Sequence, residues 1–439
     1  MSTTPRSPVV SLDRRHIWHP FTQEHTAPDP LEIRAAQDAV LFGADGREYL
    51  DLISSWWVTL HGHAHPAIAD AIGAQAHTLE QVIFAGITHE PAVRLAAELA
   101  NRLPGDLERV FFSDDGSTAI EVAMKLACQA AFNRGERRTR FLTFAGGYHG
   151  DTVGAMSAGA TSGFFAPFEP LLFDVTALPY PQTWDQDPEV EHKERQALDA
   201  LDQQLHRHHK DIAALLIEPL VQGAGGMRMA RPDFVRAVTL RCRAAGVPVI
   251  YDEVMTGFGR TGTLFAAEQV GVAPDIVCLS KGLTAGFLAM SVTVCSQAIY
   301  QQFLGDQFDK AFTHGHSFTA NPLGCAAGLA SLAVFDTDHT LQRIQHIADR
   351  HAELAARLER HPRAHRIRRR GTIIAFDVKD PATGGYHSTL GPKLKAFFLQ
   401  QGLLIRPLGN VVYLLPPYCI TDAQLDRAYD GIVQALDKI

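Results

Sequence analysis

Between residues 109 and 295 the sequence alternates short apolar runs with longer stretches of helical periodicity, and this alternation restricts the fold more than any other feature. Runs at 109–112, 141–144, 213–218, 247–252, 275–279 and 290–295 are four to six residues long and mostly apolar, as strands buried on both faces are. Residues 117–131 carry a helical pattern. So do residues 232–245, which open on Pro232 and stop at Gly246. Strands separated by helices predict an α/β fold with a largely parallel sheet covered on both faces. In such sheets ligands bind outside the carboxyl ends of the strands.

A chain of 439 residues is long enough for two or three domains of roughly 150 residues each. Residues 1–64 and 336–439 hold shorter strands, turns and a charged helix near 341–358, and are expected to form a smaller domain from both termini. Residues 65–335 form the larger one, with 181–210 expected as a solvated excursion. A formal net charge of -8 argues against nucleic-acid or anionic-membrane partners. The six cysteines, at 128, 242, 278, 295, 325 and 419, have no close pairs and no metal-ligand spacing. They read as free thiols in a reducing compartment. With no apolar stretch near the N-terminus and no membrane-length run, the expectation is a cytoplasmic enzyme.

Four polar or glycine-rich clusters fall at the predicted strand ends. Asp252 closes an apolar run, where a buried acid needs a cationic partner; a protonated pyridine nitrogen is one. Lys281 follows the next run, in CLSKGLTAG at 278–286. Desolvation there lowers the amine's pKa, and a neutral amine attacks an aldehyde carbon. SDDGST at 113–118 is a strand-to-helix turn whose free backbone N–H groups, with a hydroxyl beside them, suit a phosphate. AGGYHGD at 145–151 places Tyr148 among glycines that permit close approach to a ring. Each cluster alone also has a plainer reading as a cap, ion pair or turn. An acid and a lysine at consecutive strand ends are far more specific together.

Other patterns carry less. GFGRTG at 257–262 has the dinucleotide-binding spacing, but Asp252 and Glu253 occupy the strand end, where a pyrophosphate would be repelled. His61, His63 and His65 alternate and could share one face of a strand, yet lack an acid or cysteine to complete a metal set; no metal is expected. His206, His208 and His209 lie in the polar stretch, and the basic run 366–370 is expected to flank a strand.

DEVMTGFGRTG at 252–262, with Pro274-Asp275 and SKGLT at 280–284, resembles the class III aminotransferases of pyridoxal-phosphate (PLP) fold type I, from about residue 14 to the C-terminus. Within that class, WHPFTQ at 18–23, SSWW at 54–57 with His61-Gly62, GYHGD at 147–151, and IRP at 405–407 with LPPY at 415–418 are similar to the adenosylmethionine–8-amino-7-oxononanoate aminotransferases. Ornithine, 4-aminobutyrate and β-alanine transaminases share the lysine signature but usually lack the tandem tryptophan. The resemblance implies a mostly parallel seven-stranded sheet in the large domain and PLP as cofactor. It implies a ping-pong transfer from S-adenosylmethionine to 8-amino-7-oxononanoate and a homodimer with shared active sites.

It also implies roles residue by residue. Lys281 bonds the cofactor and moves the proton, Asp252 pairs with the pyridine nitrogen, and Tyr148 stacks near the ring. Gly116 and Ser117 hold the phosphate, which the neighbouring subunit also meets through the segment containing Gly315, His316 and Ser317. Trp56, Trp57 and Arg406 match substrate-binding positions, the arginine being suited to fork a carboxylate. Two residues depart from the commoner pattern: Phe21 replaces a tyrosine that helps recognise substrate, and Ser317 replaces a threonine. Phe21 leaves lysine open as an alternative amino donor, since enzymes that use it also show His-Gly-His-Ser-type segments. Another ω-aminotransferase activity and, more distantly, an oxidoreductase are the remaining alternatives.

Overall fold

The computed structural model describes residues 6–159, 165–379 and 388–438. Its central sheet has seven strands: β1 Leu107–Ser113, β2 Arg140–Phe144, β3 Val175–Leu178, β4 Ile212–Ile217, β5 Val249–Asp252, β6 Ile276–Leu279 and β7 Ser291–Ser296. They lie in the order β1-β7-β6-β5-β4-β2-β3. Strand β7 runs antiparallel to both β1 and β6, and the remaining pairs are parallel. The predicted mostly parallel α/β sheet is present.

The central strands are apolar throughout because both of their faces are covered. Every residue of β4, β5, β6 and β7 is buried. Successive side chains of β5 and β6 enter different clusters: Ile250, Ile276 and Cys278 pack with helix α1 (Gly116–Asn133), whereas Val249, Tyr251 and Val277 share a cluster with helix α2 (Pro232–Ala244). This is the period-two alternation of a strand, with apolar partners on each side. At about 1.5–3 kcal/mol per large buried side chain, these faces make the sheet the stable platform for the strand-end loops.

Two expectations need correction. Residues 181–210 are not an outlying excursion: Val190–His208 is a helix that buries Ala197, Leu201 and Leu205 and packs against α2. Its charged residues dominate the sequence there, while its apolar stripe is too thin to stand out. The short strand β3 was also not legible, because its pattern is half-exposed and follows no strong turn signal. The basic run 366–370 does not flank a strand but lies in one, Ala364–Arg370, with Arg368 buried and its Nη1 donating to Asp377 Oδ1 at 2.8 Å.

The two chain ends meet in one sheet. Ile33–Gln37, Val40–Gly43 and Glu48–Asp51 pair antiparallel, and Leu403–Leu404 adds parallel to Glu48–Asp51. A second sheet joins Ala364–Arg370, Ile373–Val378 and Val411–Leu414. The long charged helix is Thr340–Glu359, within a residue of its expected ends.

Candidate active site

A cavity of about 710 Å³ opens beyond the carboxyl ends of β4, β5 and β6. Asp252 ends β5, Glu218 follows β4 directly, and Lys281 lies two residues past β6. Parallel pairing sets Asp252 against Cys278, so Lys281 projects only three residues beyond the carboxylate's level. Two residues 29 positions apart in sequence thus face one space because neighbouring parallel strands end together.

Asp252 is held from behind. Its Oδ2 lies 2.7 Å from His149 Nδ1, and its Oδ1 accepts the Val254 N–H at 3.1 Å. Both side chains of the Asp252–His149 pair are almost wholly buried. Burial pushes the imidazole pKa down, but the Asp252 carboxylate outweighs it and leaves His149 raised above its ordinary 6.5. Glu218 accepts from two backbone N–H groups, Tyr148 and Gly223, each at 3.0 Å, and burial lifts its carboxyl to about 7. Neither His149 nor Glu218 was singled out from the sequence. Their only signals were a histidine inside the AGGYHGD turn and an acid at the end of an apolar run.

Lys281 stands in the left-handed region at φ 45, at the start of a short 3-10 turn. Burial lowers its pKa, with Asp252 and Glu218 opposing. Its Nζ lies 5.1 Å above the Trp57 ring, and it makes no ion pair or hydrogen bond among the described residues. An amine turned into a cavity without a protein partner is available to a ligand.

The predicted strand-to-helix turn at 113–118 is present. Asp115 caps α1 through Thr118 N at 2.8 Å, and the helix opens on Gly116 and Ser117. A Cβ on Gly116 would lie 2.6 Å from Val254 Cγ1, so only glycine lets the turn approach the β5 end this closely. The Ser117 hydroxyl is shared with Thr152, at 2.6 Å, and accepts the Thr152 N–H at 3.0 Å. Tyr148 lines the same cavity; burial, with Asp151 beside it, holds its phenol protonated by raising its pKa.

The tandem tryptophans separate. Trp57 is buried, with Nε1 donating to Tyr413 Oη at 2.9 Å, and walls the cavity beneath Lys281. Trp56 is 41% exposed and lies against Phe21 (centroids 5.8 Å) and Arg406 (Cζ to ring 4.4 Å). Ser54, Ser55 and Trp57 all have positive φ, and this twist turns the two indoles different ways. Arg406 has no ion-pair partner among the described residues. Phe21, Trp56 and Arg406 therefore form a second cluster, aromatic with one uncommitted guanidinium.

GFGRTG has a structural use. Arg260 is fully buried and donates to the carbonyls of Thr59 at 3.0 Å, Pro416 at 3.1 Å and Trp57 at 3.4 Å, fastening the Trp57 loop to the C-terminal segment. Glu253 accepts the N–H groups of Ala266 and Ala267 at 2.7 and 2.9 Å, starting the next helix rather than facing a ligand. The three histidines do not share a strand face. His61 meets Ser331 at 3.2 Å, His63 meets Asp51 at 2.9 Å, and His65 precedes the helix Pro66–Ala76. Gly315, His316 and Ser317 lie outside the chain's own cavity; Gly315 and Ser317 are exposed, and His316 bonds Asp114 beside the phosphate turn at 2.9 Å.

The set fits PLP: a partnerless cavity amine, a buried strand-end carboxylate that suits a pyridinium, and a helix start that only glycine lets approach.

Residues 22–436 match the family described as Aminotransferase class-III. A relative from Synechococcus elongatus, named adenosylmethionine-8-amino-7-oxononanoate aminotransferase, is 53% identical over 97% of this chain and 99% of its own. The crystal structure of the like-named protein from Methanocaldococcus jannaschii is 32% identical, with a TM-score of 0.91 covering 98% of each chain. A PLP-bound amine transaminase from an uncultivated Pseudomonas species is 30% identical, with a TM-score of 0.88 over 96% of this chain and 98% of that one.

Proposed function

The chain belongs to the class III aminotransferases, and from that premise we propose that it uses PLP to move an amino group from S-adenosylmethionine to 8-amino-7-oxononanoate, giving 7,8-diaminononanoate for biotin synthesis. One observation carries the reading: Lys281 and Asp252, from adjacent strand ends, line one cavity together with the glycine-opened helix start at Gly116. The full-length similarity to a relative named for this reaction supports the choice of substrates.

When bound, PLP supplies an electron sink for the carbon that loses or gains the amine. The chain's residues prepare that chemistry. Asp252, backed by His149, presents a carboxylate to a ring nitrogen and keeps that nitrogen protonated. The N–H groups at Gly116 and Ser117 meet a phosphate at the positive end of α1. Lys281, its pKa lowered by burial, would anchor the cofactor covalently and then act as the base that takes the proton from the substrate's amine-bearing carbon and returns it to the cofactor. Tyr148 and Trp57 wall the cavity and keep water from the reacting atoms.

Arg406 serves as a carboxylate fork for both substrates, and Trp56 with Phe21 gives a broad apolar wall that tolerates two unlike molecules. A phenylalanine at 21 offers no hydroxyl, so selection between them falls on the arginine and on shape. Further parts of the reading are a homodimer, with Gly315, His316 and Ser317 reaching the neighbouring subunit's phosphate, and a cytoplasmic setting. All six cysteines are free thiols, which agrees with that setting, and no helix among the described residues is long and apolar enough to cross a membrane.

The test is a half-reaction. The purified PLP form is mixed with S-adenosylmethionine, with lysine, or with 4-aminobutyrate, and loss of the cofactor's protein-bound absorbance is followed. S-adenosylmethionine is expected to bleach it and 8-amino-7-oxononanoate to restore it. Bleaching by lysine alone would reassign the donor, and bleaching by 4-aminobutyrate without response to 8-amino-7-oxononanoate would overturn the assignment. Lys281→Ala that kept both absorbance and turnover would remove Lys281 from its role.

A further inference from the structure

A line of four side chains joins the phosphate turn to the loop containing Gly315 and Ser317. Lys125 Nζ, on α1, lies 2.9 Å from His314 Nδ1. His314 Nε2 lies 3.0 Å from His316 Nε2, and His316 Nδ1 lies 2.9 Å from Asp114 Oδ2. An ammonium only donates and a carboxylate only accepts. His314 must therefore leave Nδ1 bare and carry its proton on Nε2. His316 must accept at Nε2 and carry its proton on Nδ1. The two end groups leave a single assignment, with both imidazoles neutral.

We infer that Lys125 and His314 are positioning residues, which through this one-way relay hold residues 314–317 against the phosphate turn at 114–116. The inference rests on the proposed function, in which that segment serves a neighbouring subunit's cofactor phosphate. Two observations agree with such a use. The Ser317 carbonyl is held by Gln81 Nε2 at 2.9 Å while its hydroxyl makes no hydrogen bond among the described residues. A Cβ on Gly315 would meet nothing within 4 Å, so the chain's own packing does not require glycine there. Backbone anchored, hydroxyl uncommitted: the segment is presented outward.

The relay is sensitive to acid. Titratable groups facing His314 are Lys125 and Glu121 from α1 and His316 from its own loop, while Phe111 and Phe312 contribute rings at 6.1 and 5.6 Å. Asp114 reaches His316 alone. Burial, then Lys125 and His316, hold His314 below its ordinary 6.5, with Glu121 opposing. A proton added at Nδ1 would set N–H against the Lys125 ammonium. For a base held below its ordinary value the contribution is whole above 6.5 and is lost as pH falls below it. The relay thus holds at neutral pH and parts in acid.

Histidine-selective ¹⁵N NMR reads the tautomers directly, without substrate. The expected result is an Nε2–H tautomer at His314 and an Nδ1–H tautomer at His316; the opposite tautomer at either overturns the inference. In Lys125→Met no ammonium opposes a proton on His314 Nδ1, so the acid limb of PLP retention and of kcat/KM moves downward by roughly half to one pH unit. Lys125→Arg, which keeps a donor-only cation, restores the limb. An acid limb in Lys125→Met that coincides with the native one also overturns it. The proteolysis rate of the 313–319 loop against pH gives the same shift whether or not the protein transaminates, so failure of the proposed function is distinguishable from failure of the relay.

Discussion

Removing His149 tests the arrangement behind Asp252 most directly. Its Nδ1 sits 2.7 Å from Asp252 Oδ2, and the two side chains are 1% and 5% exposed. In His149→Ala the carboxylate keeps one backbone N–H, from Val254 at 3.1 Å, and loses its hydrogen-bonded imidazole. Breaking one half of a buried pair costs about 3–5 kcal/mol, because the remaining charge stays buried. His149→Gln, which can return a neutral N–H donor, is expected to lose only about 1–3 kcal/mol. Guanidinium unfolding of the cofactor-free proteins, followed by near-ultraviolet circular dichroism, measures both. The pH dependence gives the sign. The folded pKa of His149 lies above 6.5, so its contribution is whole below 6.5 and declines as pH rises through the folded value. The stability gap between native protein and His149→Gln should therefore narrow between pH 6 and pH 9. A gap that widens with pH, or a His149→Ala variant as stable as native protein, would refute the account of a charge-assisted pair.

Gly116→Ala drives a Cβ to 2.6 Å from Val254 Cγ1; relieving it costs about 1–3 kcal/mol, and PLP affinity by equilibrium dialysis should fall about tenfold or more for the same reason. Arg406→Ala removes the guanidinium that lies over Trp56, and kcat/KM for carboxylate-bearing substrates should fall by about ten- to a hundredfold, while PLP titration stays as in the native protein. Trp57→Phe deletes the 2.9 Å hydrogen bond from Nε1 to Tyr413, and thermal unfolding should report a loss of about 1 kcal/mol, with reduced turnover because the wall under Lys281 loses its anchor.

The alternation of apolar runs and helices named the fold class because strands buried on both faces must be apolar along their whole length, as β4 to β7 are. Asp252 and Lys281 were legible for a related reason. A charged residue directly after such a strand stands at the sheet's edge, and adjacent parallel strands bring their edges together. Gly116 was visible as a helix start, though only Val254 explains why it must be glycine. What stayed hidden were partners distant in the chain and polar groups whose worth depends on burial. His149 reaches Asp252 across 103 positions, and Arg260 reaches Pro416 across 156. Helix Val190–His208 looked like solvated chain because its apolar stripe has meaning only against α2.

By itself, then, the sequence determined most of the strand-and-helix order, though not β3 or helix Val190–His208, and the residues standing at the strand ends, since both follow from local periodicity and the cost of burying charge. The tertiary structure alone decided which of those residues share a cavity, that Trp57 faces inward while Trp56 turns to Arg406, and that His149 backs Asp252. Those outcomes depend on long-range packing, where the energy of a polar group is set by neighbours that no local pattern announces.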